Sequence, residues 1–345
     1  MVFNSPPSEG LGEANMQLII NTYGTYVHIK DELFEVTVPK DGEKEKHHFA
    51  SQKVTSILMS KGSAISTDAI ILAMKNNIDI IVFEYDGVPV GRFWHSKPGS
   101  TSRIRKQQLE ASLNSAGVFW VKSWLAAKLG NQVDFLKRLK NHRPDTAEMI
   151  QEKIDSISAL KTKIENQEAD KIDAIDSSLR GFEGTAGRIY FEILSTLLTE
   201  RYRFAGRSFR PATDPFNAFL NYAYGVLYSR VEKVLVIAGL DPYVGFMHRD
   251  DYNMKSMVFD FIEPYRIYAD EVVFKLFSAK KVNDSHTSAI TNGISLNAEG
   301  KNLLMQSLIK FLDEETIRYN GRNQTRINAM QMDAHQFANK LIGKQ

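Results

Sequence analysis

At HSKPGSTS, residues 95–102, the hydrophobic rhythm of the chain changes. Before it, β-branched and aromatic runs alternate with turn residues, the pattern of short strands. After it, apolar residues recur every three or four positions almost to the end, the spacing of one helix face. A single layer cannot satisfy both periods. The chain is therefore expected to be α+β, with a small β-rich N-terminal domain over residues 16–96 and an all-helical domain over 97–345. A length of 345 residues suits two domains of ~100–200 residues or somewhat more. Residues 1–15, MVFNSPPSEGLGEAN, read as a linker or an appended remnant, with Met16 the more natural start.

In the first part, QLIINTYGTYVHIKDELFEVTV (17–38) predicts a hairpin about the Lys30-Asp31-Glu32 turn. KDGEKEKHH, residues 40–48, predicts a solvated loop, and KVTSILMS a further strand. STDAIILAMKNN predicts a short helix capped by Ser66 or Thr67. IDIIVFEY and VPVGRFW predict a second hairpin around a type I′ turn at Asp86-Gly87.

In the second part, residues 103–142 predict one or two long helices. Residues 145–180 space Ile150, Ile154, Ile157, Leu160 and Ile164 helically among many charges, which predicts an exposed antiparallel arm. DPFNAFLNYAYGVLYSRVEKVLVIAGL (214–240) opens with Asp214 as N-cap and Pro215 at the first helical position, and Gly239 closes it. The tail from about Ala298 is expected to be helical.

The absence of cysteine removes disulfides, zinc ribbons and thiol nucleophiles. With 43 Lys and Arg against 41 Asp and Glu, net charge points to no nucleic-acid partner. No apolar run approaches the ~20 residues that span a bilayer, and the N-terminus lacks a basic region followed by an apolar core. A cytoplasmic protein without a membrane partner is expected. Nothing resembles a P-loop, a GxGxxG turn or a GxSxG elbow.

Candidate chemistry lies in the helical half. In GFEGTAGRIYFEIL, Glu183 shares a helical stripe with Ala186, Gly187, Tyr190 and Leu194. A carboxylate there needs compensation. Asp260 and Glu263 stand three apart in DFIEPYR, where Pro264 is expected to kink the helix, and His248 lies in the loop DPYVGFMHRD. Carboxylates plus one imidazole suit Mg²⁺ or Mn²⁺. The modest alternative is that Glu183 pairs with an arginine such as Arg188 or Arg210 and that His248 is an ordinary loop residue. Spacing alone leaves both open. Arg201, Arg203, Arg207 and Arg210 interleave with Tyr202, Phe204 and Phe209. Together with Arg318, Arg322 and Arg326, they suit contact with phosphates and unstacked bases.

Several segments in order carry a family resemblance: AKLGNQ at 127–132, FEGTAGRIYF at 182–191, GRSFRPATDPFNAFLNYAYGVLY, GFMHRDD, DFIEPYR and GISLNAEGKNLL. From Met16 nearly to its end, the chain resembles the CRISPR-associated spacer integrases, the Cas-one family of CRISPR adaptation. The resemblance implies a dimerising β-sheet domain and a helical catalytic domain. It implies metal ligation by Glu183, His248 and Glu263, with Asp260 in a supporting or second-metal role. It also implies a homodimer and a small ferredoxin-like partner, Cas-two. The implied reaction joins 3′-hydroxyl ends of a prespacer duplex to the CRISPR repeat by transesterification, which needs no ATP. A stand-alone metal-dependent nuclease and a non-catalytic DNA-binding subunit are the rival readings. The linker-like start allows a chain cut from a fusion, for example with a reverse transcriptase.

Overall fold

The structure, a computed structural model, describes residues 2–4, 16–40, 42–76, 78–83, 89–93, 101–248 and 254–344, and only the backbone of residues 2–4, Thr55 and Pro89. The chain divides into two compact units, Met1–Lys97 and Pro98–Gln345.

The first unit holds strands β1 (Val2–Asn4), β2 (Met16–Ile20), β3 (Tyr26–Lys30), β4 (Leu33–Lys40), β5 (Glu43–Ala50), β6 (Val54–Ser60) and β7 (Ala64–Ile65), helix α1 (Thr67–Lys75), then β8 (Asp79–Phe83) and β9 (Pro89–Phe93). They form one sheet in the order β1-β2-β6-β8-β9 and another in the order β5-β4-β3-β7. Val2–Asn4, expected within a linker, pairs antiparallel with β2. Residues 17–38 do not make one hairpin. The run breaks at Gly24, whose φ of 77° suits glycine. β2 then joins the first sheet, parallel to β6, while β3 and β4 pair across Asp31 and Glu32, both at positive φ.

The expected solvated loop at 40–48 is largely strand β5. Its polar side chains are used across the sheet: Lys46 Nζ and His48 Nε2 each lie 2.8 Å from the buried Glu35 carboxylate on β4. These contacts, Lys46 first, outweigh burial and hold the Glu35 carboxyl at about 2. Ser66 caps α1 through a 3.2 Å bond from the Ala69 amide. The Asp86-Gly87 turn lies outside the described residues, and β8 and β9 flank it as an antiparallel pair.

The second unit runs α2 (Thr101–Ala111), α3 (Ser115–Asn141), α4 (Ala147–Glu165), α5 (Asp176–Thr196), α6 (Pro215–Ile237), α7 (Ser256–Phe261), α8 (Arg266–Ser278), hairpin β10 (Thr287–Ile290) and β11 (Gly293–Leu296), α9 (Ala298–Ile309), hairpin β12 (Thr316–Tyr319) and β13 (Arg322–Thr325), and α10 (Arg326–Leu341). The helices are thus interrupted by two short hairpins, the second inside the tail expected to be wholly helical. Asp214 accepts from the Asn217 amide at 2.8 Å with Pro215 at the first position, and Gly239 follows α6 at a φ of 84°.

The expected exposed arm is instead part of the core. Helix α4 packs on α3 and α5, and Ile150, Ile154, Ile157 and Ile164 are at most 3% exposed. Burying each such side chain contributes about 1.5–3 kcal/mol, which a free arm would forgo. Between α3, α7 and α10, the rings of Trp124, Phe261 and Phe337 pack edge-on or stacked.

Candidate active site

Helix α5 presents Glu183 one turn before Ala186 and two before Tyr190, both fully buried. The carboxylate meets neither Arg188 nor Arg210 but the ammonium of Lys128 on α3, 2.5 Å from Glu183 Oε1. The same ammonium lies 2.6 Å from Glu263 Oε2. The three side chains are 10%, 25% and 4% exposed for Lys128, Glu183 and Glu263. One cation thus holds acids from α5 and from the break between α7 and α8.

That break follows from Pro264. Helix α7 ends at Phe261, a single 3₁₀ turn spans Glu263–Tyr265, and α8 starts at Arg266. Asn131, one turn after Lys128, donates to the Pro264 carbonyl at 2.7 Å. Arg266 Nε donates to Glu263 Oε1 at 2.8 Å. Burial opposes ionisation of Glu263, but Arg266 and Lys128 outweigh it and hold the carboxyl at about 2. Burial likewise opposes the Lys128 charge, and Glu263 and Glu183 overcome it and raise its pKa.

Asp260 organises the histidine loop. Its Oδ2 accepts from the amides of Phe246 and Met247 at 2.5 and 3.1 Å. Its Oδ1 accepts from the His248 amide at 3.2 Å and from His248 Nδ1 at 2.7 Å. An ionised carboxylate only accepts, so Nδ1 carries a hydrogen toward Asp260, and in the neutral imidazole that tautomer leaves the lone pair on Nε2. A carboxylate that orients an imidazole in this way is a common support for a metal-ligating histidine.

The residues therefore come together in two pairs, Glu183 with Glu263 and His248 with Asp260. Among the described residues no three His, Asp or Glu side chains already form a metal-coordinating group. The donor set nevertheless fits Mg²⁺ or Mn²⁺. Two acids converge on a positive charge, Glu263 Oε2 has no hydrogen bond beyond its ion-pair contact with Lys128, and one ring nitrogen is kept free. A Cβ placed at Gly184 or Gly187 meets nothing within 4 Å, so α5 presents open surface beside Glu183.

The arginines divide. Arg201 is tied to Asp284 at 2.6 Å. Arg207 bonds Asn217 and Asn221 and lies over the Tyr224 ring. Arg326 sits 3.5 Å above the Phe311 ring and donates to the Phe311 carbonyl. Arg203, Arg210, Arg318 and Arg322 are exposed.

Sequence reasoning passed over Lys128, Asn131, Arg266 and the Tyr224–Asp270 pair. Tyr224 donates to Asp270 Oδ1 at 2.6 Å, and burial pushes the Asp270 carboxyl up to about 6. One signal was available. Lys128 falls on the buried stripe of Trp124, Leu125 and Gln132, the same anomaly that singled out Glu183.

Comparison with known proteins bears on this arrangement. The family described as CRISPR associated protein Cas1 matches residues 18–310. A CRISPR-associated endonuclease Cas1 of Archaeoglobus fulgidus is 33% identical over 319 residues, 89% of this chain and 91% of that one. One of Thermus thermophilus is 27% identical over 87% and 89% of the two chains. Among solved structures, a casposase bound to integration product has a TM-score of 0.77 at 20% identity, over 95% of this chain and 91% of that one. A chain of a Cas6-RT-Cas1–Cas2 complex matches 97% of this chain but 36% of its own length, with a TM-score of 0.72 at 19% identity. At such identities the two solved structures speak to the fold. The family match spans most of both units and includes Lys128, Glu183, His248, Asp260 and Glu263, and on it the chain belongs to the Cas1 family of CRISPR-associated proteins.

Proposed function

We propose that this chain is an integrase of CRISPR adaptation, joining 3′-hydroxyl ends of a prespacer DNA to the CRISPR repeat. The observation that carries the reading is the convergence of Glu183 and Glu263 on one cation, with His248 anchored by Asp260. Family membership supports the reading: relatives are named CRISPR-associated endonucleases, and a casposase of like fold was solved bound to an integration product.

In the joining step, a prespacer 3′ oxygen bonds to a repeat phosphorus and the bond from that phosphorus to its own 3′ oxygen breaks. The proton lost by the attacking hydroxyl ends on the leaving oxygen, so one phosphodiester replaces another. Glu183, His248 and Glu263 would hold Mg²⁺ or Mn²⁺, which would supply stabilisation of the negative charge that develops during phosphoryl transfer. Asp260 keeps the imidazole in the tautomer that frees Nε2. Arg203, Arg210, Arg318 and Arg322 bind backbone phosphates, and affinity accordingly falls with salt. The proposed assembly is a homodimer formed through the strand-rich unit, working in the cytoplasm with a Cas2 partner. The Cas6-RT-Cas1–Cas2 match supports the Cas2 partner, and extends the proposal to a fused or associated reverse transcriptase.

The test is Mn²⁺-dependent joining of a labelled 3′-hydroxyl duplex to a supercoiled plasmid carrying the repeat, with Cas2 present. Glu183→Ala and His248→Ala are expected to lose joining at unchanged circular dichroism. Wild-type joining in either variant overturns the ligand assignment. A stand-alone nuclease is the second reading, favoured by the relatives' names, and it would nick the plasmid without incorporating label.

A further inference from the structure

The Lys128 ammonium is shared between two acids whose segments lie about 80 positions apart in sequence, Glu183 on α5 and Glu263 before α8. One carboxylate is enough to neutralise the charge of a lysine on a buried helix face. Glu263 already has the Arg266 guanidinium, at 2.8 Å on its other oxygen, and Arg266 in turn lies over the rings of Tyr224 and Tyr228. Lys128 is the second cation on Glu263, on the oxygen that Arg266 does not reach. Its effect is to bring Glu183 alongside.

The charges balance without any divalent ion: two carboxylates face one ammonium and one guanidinium. A divalent ion entering between the acids would leave two excess positive charges in a partly desolvated site, where like charges a few ångströms apart repel strongly. The movable member is Lys128, an ammonium on four rotatable carbons. Arg266 is pinned by Glu263 and two rings, as a planar guanidinium readily is.

We propose that Lys128 is a positioning residue whose ammonium stands in for the divalent ion, holding Glu183 and Glu263 in register until the metal displaces it, and thereby sets the metal affinity of the site. The proposal rests on the metal-site reading above. It differs from a plain salt bridge in its sign. Removing a structural lysine loosens the ligands and weakens metal binding, whereas removing a resident competitor strengthens it.

The experiment is Mn²⁺ binding by electron paramagnetic resonance and calorimetry on the full chain, with melting curves in chelator and in Mn²⁺. Lys128→Met and Lys128→Gln are expected to bind Mn²⁺ about 10-fold tighter, equivalent to relieving about 1.4 kcal/mol of repulsion. They are also expected to melt lower in chelator and to gain more on Mn²⁺ addition than the wild type. Lys128→Arg, which keeps the charge, is expected to stay near wild-type affinity. Unchanged or weaker Mn²⁺ binding in folded Lys128→Met and Lys128→Gln overturns the proposal. If both neutral variants fail to fold, the wild type decides: acylation of Lys128, read by mass spectrometry, is expected to speed up on Mn²⁺ addition, and an unchanged rate overturns the proposal. His248→Ala separates the two readings. If it binds Mn²⁺ as tightly as wild type, the metal-site reading fails. If it loses Mn²⁺ while the lysine variants show no gain, only the role of Lys128 fails.

Discussion

His248 Nδ1 lies 2.7 Å from Asp260 Oδ1, and the same carboxylate accepts the amides of residues 246, 247 and 248. Asp260 thus fixes both the path of the loop and the tautomer of its histidine. Asn at this position keeps one acceptor and turns an NH₂ toward amide donors. Asp260→Asn is expected to destabilise the fold by about 2–4 kcal/mol and to weaken Mn²⁺ binding by roughly 10–100-fold. Urea melts and Mn²⁺ titration check this, and wild-type values for both would show that Asp260 supports neither.

The exposed and the tied arginines are expected to fail differently. Arg203→Ala, Arg210→Ala, Arg318→Ala and Arg322→Ala are each expected to weaken DNA binding and lower the slope of log Kd against log salt by about 1, with unchanged melting. Arg326→Ala removes a cation stacked on Phe311, and Arg207→Ala frees the loop tied to Asn217 and Asn221. Both are expected to lower the melting temperature. Salt-series binding paired with thermal melts separates the groups.

Asp270 sets a pH dependence with an unusual sign. Its carboxyl is buried, Oδ2 has no hydrogen bond, and burial raises the pKa from 3.8 to about 6. Between these values the folded chain holds the proton more tightly than the unfolded one, so stability falls as pH rises through the window. The cost at neutral pH is about 3 kcal/mol. Glu263, held at about 2 instead of 4.5, acts oppositely: its contribution is present above 4.5 and is lost as pH falls toward 2. Asp270→Asn is expected to flatten the decline between pH 4 and 6 and to raise the melting temperature at pH 7. An unchanged pH profile in that variant would remove Asp270 as the cause.

Ile154 tests whether α4 belongs to the core. It is 3% exposed on a helix packed between α3 and α5. Ile154→Ala is expected to cost about 2–5 kcal/mol, read as a lower urea midpoint at unchanged slope. A loss within about 0.5 kcal/mol, as for a surface position, would restore a free arm.

Much of the fold was legible in local patterns. The change of rhythm at residues 95–102 separates segments of strand period from segments of helical period, and the caps at Ser66 and Asp214 and the break at Pro264 lie where their side chains require. The misreadings share one cause. A polar strand such as β5 is stabilised by Glu35 on its neighbour, and α4 by the faces of α3 and α5, so neither partner is visible in the segment itself. The same holds at the candidate site. Glu183, His248, Asp260 and Glu263 were legible as residue types out of place. Their compensating partners Lys128, Asn131 and Arg266 were not, because hydrogen bonds and ion pairs act over about 3 Å, whatever the distance along the chain.

The sequence by itself determined the periods, the caps, the proline break and which polar residues fall on apolar stripes, since each depends on backbone geometry within a few positions. Tertiary structure alone decided that Asp260 serves His248 and that one ammonium joins Glu183 to Glu263. Those pairings arise only when α3, α5 and the α7–α8 break bury their apolar faces together and bring the charged groups out of water and into reach of one another.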